Sequence, residues 1–230
     1  MTDEPLSLTF KMSEKRLTLS TTITYSFILL SFVVLSGCQL TTEPYDYTTF
    51  NNHKPRSILV IPPQNNSLEP NAPYTYLSTV TRPLAEKGYY VFPVAVIDTL
   101  LKENGLPTPA EMNTIPLDKI EQHIGADAIL YVTLTDWGQQ YEIISSKTIV
   151  KGHMKLVSVK TGATLWHAPI YAIEASDSGG NGLIGALVNA AVAQVIGDLR
   201  DNTPALASQA NHRAINSTKR GLPKGPYLQR

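Results

Sequence analysis

The sequence is short of cysteine, of charge, and of any imbalance between the two signs of charge. One cysteine in 230 residues excludes an internal disulfide framework and any multi-cysteine zinc or iron–sulfur site. The 19 basic and 19 acidic side chains cancel, so the chain lacks the basic excess of a generic nucleic-acid binder. Charged residues make up 17% of the chain, against roughly 25% in ordinary soluble proteins. Part of the chain is therefore something other than ordinary soluble domain. The length fits one domain with extensions, or two small ones.

The first forty residues account for much of that deficit. Lys11, Lys15 and Arg16 form a positive region, and no charge follows from Leu17 to Gly37. Within that stretch Phe27 to Leu35 is densely apolar. Twenty-one uncharged residues could span a bilayer of ~30 Å, but the serines and threonines among them suit a secretory signal better. The run ends Leu35-Ser36-Gly37-Cys38, which resembles the bacterial lipobox: a branched apolar residue, two small ones, then the cysteine that is acylated. Cleavage between Gly37 and Cys38 would leave Cys38 as the first mature residue and the lipid attachment site. Stable anchoring takes at least two acyl chains. Gln39 in place of Asp directs such a protein to the outer membrane in the enterobacterial sorting scheme, facing the periplasm. Met12 is an alternative start to Met1.

Beyond the signal, residues 38–201 hold 11 bases and 16 acids, and residues 202–230 hold five bases and no acid. An acidic body thus carries a basic tail. The tail, taken as residues 201–230, reads as solvated; contact with anionic lipid or an acidic partner is its functional alternative. Residues 38–55 read as a polar tether, and residues 56–200 as a single domain.

The expected fold is α/β (α+β), a mixed sheet with helices packed on it. Strands are expected at 56–61, 89–94 and 128–134, the last nearly all apolar and so central. Helices are expected at 73–87, 96–104 and 116–124. Later segments, 141–159 and 164–175, read as antiparallel strands joined by a turn at 160–163. A final apolar helix is expected over 183–200. Its uncharged stretch of 15 residues, Leu183 to Gly197, is short for a membrane span.

Few motifs carry chemistry. Gly180-Asn181-Gly182-Leu183-Ile184-Gly185 fits G-x-G-x-x-G, but a dinucleotide site needs a following parallel strand with a ribose-binding acid. A flexible loop is the better reading. The five histidines lack metal-ligand spacing, no nucleophile elbow is present, and Asp127, Asp136 and Glu142 suit strand ends better than a catalytic pair. No catalytic residue, metal or cofactor is expected. The residues that could face a ligand or partner are Pro62, Pro63, Asn65, Asn66, Tyr89, Asp136, Trp137 and Trp166.

Several segments together resemble a known family. They are Arg56 to Pro63, Arg82 to Val94, Gly125-Ala126-Asp127-Ala128, Thr135-Asp136-Trp137-Gly138, Thr161-Gly162 before Leu165-Trp166, and Gly225-Pro226-Tyr227. In this order they resemble a family of proteobacterial lipoproteins of unknown function that includes a meningococcal surface-antigen candidate. The resemblance runs from about Lys54 to Tyr227. It implies a fold similar to the N-terminal domain of TolB. It also implies an envelope assembly or transport accessory beside a lipoprotein like the curli secretion channel; a homodimer is a separate expectation. It brings no catalytic residues. The functional expectation is a non-enzymatic, lipid-anchored accessory. A small-ligand-binding domain and an envelope hydrolase assembled from distant residues are the alternatives. The Gly225-Pro226-Tyr227 match falls in the tail and argues that the extreme C-terminus docks.

Overall fold

A computed structural model describes residues 43–141, 146–175 and 201–228. Helix α1 (Thr48–His53) leads into strand β1 (Ser57–Val60), whose Ile58, Leu59 and Val60 are all buried. A strand covered on both faces needs such an unbroken apolar run. It stops at Pro62 and Pro63, which bring no N–H to a ladder. Pairing resumes in β2 (Gln64–Asn65).

Helix α2 (Ala72–Glu86) starts with a proline in its first turn, where a missing N–H costs nothing, and carries Pro83 inside. Gly88, at φ 93°, closes it. Strand β3 (Tyr90–Val91) is shorter than the expected 89–94. Pro93 cannot donate to a ladder and instead opens α3 (Val94–Glu103). The Pro-broken loop beyond it contains α4 (Pro109–Met112), held by a reciprocal capping box between Thr108 and Glu111. Helix α5 (Leu117–His123) precedes the long strands β4 (Ala128–Tyr141), β5 (Ser146–Ser158) and β6 (Thr164–Ala175).

The sheet order is β3-β1-β4-β5-β6, with β2 also on β4. Strand β4 is central, as expected. It pairs in parallel with β1 and β2 on one side and antiparallel with β5 on the other. Leu130 lies level with Val60 and with Leu156, which faces Trp166 of β6. The mixed sheet with helices packed on it is thus observed. Strand β4 runs past the expected end at 134 and through Gly138, with a register shift between Leu134 and Asp136.

Alternation along the strands builds two cores. Ile58, Val60, Leu130, Leu156 and Trp166 face α2 and the C-terminal segment. Leu59, Ile61, Ile129 and Val157 face α3, α4 and α5.

The basic tail is the main correction. Residues after Asn202 are not a solvated arm: they form helix α6 (Thr203–Asn216), which buries Leu206, Ala207, Ala210, Asn211 and Ile215 against the sheet and α2. The described residues from Pro44 to Leu228 accordingly belong to one body, which reaches outside the expected bounds of 56–200 at both ends. The expected tether of 38–55 is shorter for the same reason, because α1 buries Phe50 in the first core. The expected helix over 183–200 and the Gly-rich loop before it lie outside the described residues. No helix among the described residues is long and apolar enough to cross a membrane.

Candidate functional site

The two ends of the body meet beside β6. The phenol oxygen of Tyr45 accepts from the backbone N–H of His167, at 3.0 Å, and lies 3.1 Å from that histidine's Nδ1. A residue from the leader thereby occupies a donor of the outermost strand, which would otherwise be open to foreign strands. Tyr47 packs against Tyr45 and donates to the Gly221 carbonyl at 2.6 Å. Arg220 lies over the Tyr45 ring, 5.9 Å from its centroid. The leader and the last residues of the chain form a clasp.

The C-terminal half of the clasp is a strap over the end of α2. Gly225 N–H donates to the Lys87 carbonyl and Tyr227 N–H to the Gly88 carbonyl, at 2.9 and 3.0 Å. The approach is so close that a Cβ on Gly225 would collide with the Gly88 carbonyl oxygen, and one on Gly88 would collide with Leu228. Gly88 and Gly225 are thus required by backbone meeting backbone.

Two of the expected surface residues belong to this clasp instead of to a surface. Trp166 is 1% exposed, and its Nε1–H donates to the Arg220 carbonyl at 2.9 Å. Tyr89 is 4% exposed and donates to the Pro223 carbonyl at 2.7 Å; burial pushes its phenol well above the ordinary range. Beneath the strap, α6 is latched to α2 by a buried polar relay. Tyr76 donates to Asn211 Oδ1 at 2.8 Å, and Asn211 Nδ2–H donates to Thr79 Oγ1 at 3.0 Å. Full burial likewise raises the Tyr76 phenol.

The remaining expected residues lie elsewhere and do not converge. Pro62 and Pro63 are buried past the end of β1, and the Pro62 carbonyl accepts from Asn113. Asn65 spends its side chain on its own loop, donating to the Glu69 carbonyl and accepting from Ser67. Asn66 is exposed; its N–H donates to Leu134. Asp136 lies 3.9 Å from Lys151. Trp137, 8% exposed, stacks edge-on to Tyr76 and lines a cleft of ≈410 Å³ with Glu69, Thr75 and Asp201. Gly37 and Cys38 lie outside the described residues. A second cleft, of ≈270 Å³, opens where β1 and β4 begin, between Lys54, Arg56, Lys160, Glu121 and Asp127. No group of three or more histidines, aspartates and glutamates that could hold a metal ion occurs among the described residues.

The Gly225-Pro226-Tyr227 match pointed to a docked C-terminus, as observed, but the rest of the clasp was not read from the sequence. Its signals were present as scattered pieces: Tyr45, Tyr47, the glycines at 88 and 225, and an isolated Trp166. Residues 45–227 match the family described as "Putative lipoprotein GNA1162-like". The chain belongs to this family. The match opens on Tyr45 and closes on Tyr227, the two outer residues of the clasp, so the GNA1162-like unit and the clasped body coincide. Over 200 residues the chain is 38% identical to the lipoprotein NMB1124/NMB1162 of Neisseria meningitidis serogroup B, covering 86% of this chain and 93% of that one. The crystal structure of lipoprotein GNA1162 from Neisseria meningitidis aligns with a TM-score of 0.51 at 39% identity, over 62% of this chain and 99% of the other. The C-terminal domain of LpoB from Salmonella enterica is a fainter likeness, at 18% identity and a TM-score of 0.37, over 52% of this chain and 84% of that one.

Proposed function

We propose that this GNA1162-like lipoprotein is a non-enzymatic accessory of an envelope assembly or transport complex. It is held by acylated Cys38 on the periplasmic side of the outer membrane. The observation that carries the anchor is spacing. Only six residues separate the lipobox cysteine from Tyr45, the first residue bonded into the clasp. An acyl group on that cysteine tethers the folded body directly to a bilayer. The accessory role rests on family membership and on the placement of the candidate residues. Their polar atoms are spent on the fold: Trp166 and Tyr89 on the strap, Asn65 on its own loop, Pro62 on Asn113. The edge of β6 also leaves Tyr171 and Ile173 exposed, at 56% and 40%. An apolar stretch on an outermost strand suits a protein partner. The partner is an envelope protein of the kind the family implies, a lipoprotein like the curli secretion channel.

Two experiments test this. Radioactive palmitate should label the wild type and leave a Cys38→Ala variant unlabelled; an unlabelled wild type sinks the anchor. Crosslinking of intact envelopes followed by capture should recover one dominant envelope protein. Recovery of nothing beyond the bait removes the accessory role, and recovery of the bait crosslinked to itself replaces it with a homodimer.

A further inference from the structure

The end of the sheet where the clasp lies is also the basic end of the molecule. Lys54, Arg56 and Lys160 rim the ≈270 Å³ cleft at the start of β1 and β4. The strap adds Lys219, Arg220 and Lys224, all exposed, and Lys87 beneath them. Burial lowers the Lys87 ammonium, and the neighbouring Lys224 lowers it further.

The carboxylates nearby cancel only part of this charge. Asp127 accepts from the backbone N–H groups of Arg56 and Ser57 and pairs with the Arg56 guanidinium at 3.7 Å, and Asp46 accepts from Thr48. Glu86 forms an i,i+4 pair with Arg82. Glu121 in the cleft and Glu43 in the leader complete the set. Leaving the Arg82–Glu86 pair aside as neutral, the seven cations outnumber Glu43, Asp46, Glu121 and Asp127.

We propose that this end of the body lies flat against an anionic lipid surface, with the strap residues Lys219, Arg220 and Lys224 as the contact. The proposal rests on the reading of Cys38 as the anchor. Six residues separate Cys38 from Tyr45, and a fully extended chain of that length spans about 25 Å. A free tether to residue 55 would reach about 60 Å and leave the orientation open. Tyr45 is fixed to His167 and sits under Arg220, so the short link delivers the strap to the bilayer. Each cation near an anionic surface adds attraction, and the effect fades within a Debye length. The strap therefore has to be presented at close range, which the clasp does.

The test uses the acylated mature protein in vesicles. Acylation consumes the single native thiol, so an introduced cysteine takes a dye specifically. One dye is placed at Thr218→Cys, on the strap. A second is placed at Ala110→Cys on α4, near Asn113 and past the far end of β1. Vesicles of phosphatidylcholine, with or without about 30 mol% phosphatidylglycerol, carry a spin-labelled headgroup quencher. On the anionic vesicles the Thr218 dye should be quenched at least about twofold more than the Ala110 dye. The triple variant Lys219→Glu, Arg220→Glu, Lys224→Glu should lose that difference, as should raised salt. Its melting temperature should fall only slightly, because all three side chains are exposed and Arg220 alone gives up a contact, over the Tyr45 ring. Equal quenching at both positions in an acylated chain overturns this orientation and leaves the anchor standing. So does quenching that ignores both anionic lipid and the triple variant. Mass spectrometry showing no acyl group on Cys38 overturns the anchor and this proposal together.

Discussion

The two faces of the sheet are covered by different kinds of chain. One face carries α3, α4 and α5, three helices in unbroken succession between residues 94 and 123, closed by local devices such as the Thr108–Glu111 capping box. The other carries α2 together with α6, segments more than a hundred residues apart, joined by the buried Tyr76–Asn211–Thr79 relay and strapped by residues 217–228. The first face is assembled from neighbours, whereas the second needs both ends of the chain before it closes. Such non-local closure puts the end of the chain into the core, so a segment that looks expendable becomes structural.

The sharpest way to break this contrast is truncation. Ending the chain at Asn202 should abolish cooperative unfolding, because the first core loses Leu206, Ala207, Ala210 and Ile215 at once. Circular dichroism through a thermal ramp reads this directly, and a truncated chain that melts like the intact one would remove the contrast.

Next in size is the strap's buried anchor. Trp166→Ala should cost about 3–5 kcal/mol in denaturant unfolding, since it empties a fully buried site. Trp166→Phe should cost less, roughly the 1–3 kcal/mol of leaving the Arg220 carbonyl without its donor.

A smaller effect comes from the relay. Tyr76→Phe leaves Asn211 Oδ1 buried without a donor and should cost about 1–3 kcal/mol. The same residues set an alkaline limit. Burial raises the Tyr76 and Tyr89 phenols above the value of about 10 at which an unfolded tyrosine ionises. Above that pH the unfolded chain sheds protons that the folded one keeps, so stability falls as pH rises. Below it both states are protonated and this contribution is complete. Stability measured from pH 9 to 11 should bend downward past 10. The bend should flatten in Tyr89→Phe, by up to about 1.4 kcal/mol per pH unit for each such tyrosine.

The smallest effect belongs to the local face. Thr108→Ala removes one cap of a four-residue helix and should cost about 1 kcal/mol. A loss above that of Trp166→Ala would invert the ranking of the two faces.

Legibility in the sequence followed the same division. Strand β1 and the first half of β4, residues 128–134, announced themselves as apolar runs, and α2, α3 and α5 as periodic helices bounded by proline and glycine. Helix α6 did not, because beside Leu206 and Ile215 its buried face carries three alanines, a threonine and an asparagine, which give little contrast against its polar face. Its start was nonetheless marked: Asp201 Oδ1 accepts from the Thr203 N–H, just ahead of Pro204. The strap had no periodicity to find, since its bonds run from backbone to backbone and to distant side chains. Trp166 and Tyr89 were singled out as residues that could face a ligand or partner. A lone aromatic with a polar tip looks the same in sequence whether it meets a partner or the chain's own carbonyl. The basic charge of residues 202–230 was visible, but its place beside Tyr45 at one end of the sheet was not, because only the clasp puts it there.

The claim beneath both the anchoring and the orientation is that the last residues are folded onto the body. Amide hydrogen exchange of the mature protein measures this most directly. The Leu222, Gly225 and Tyr227 amides donate to Ile215, Lys87 and Gly88, and should exchange at rates approaching those of the β4 amides. Exchange of those three amides at the rate of an unstructured peptide, with β4 still protected, would contradict the clasp and free the basic end from the membrane.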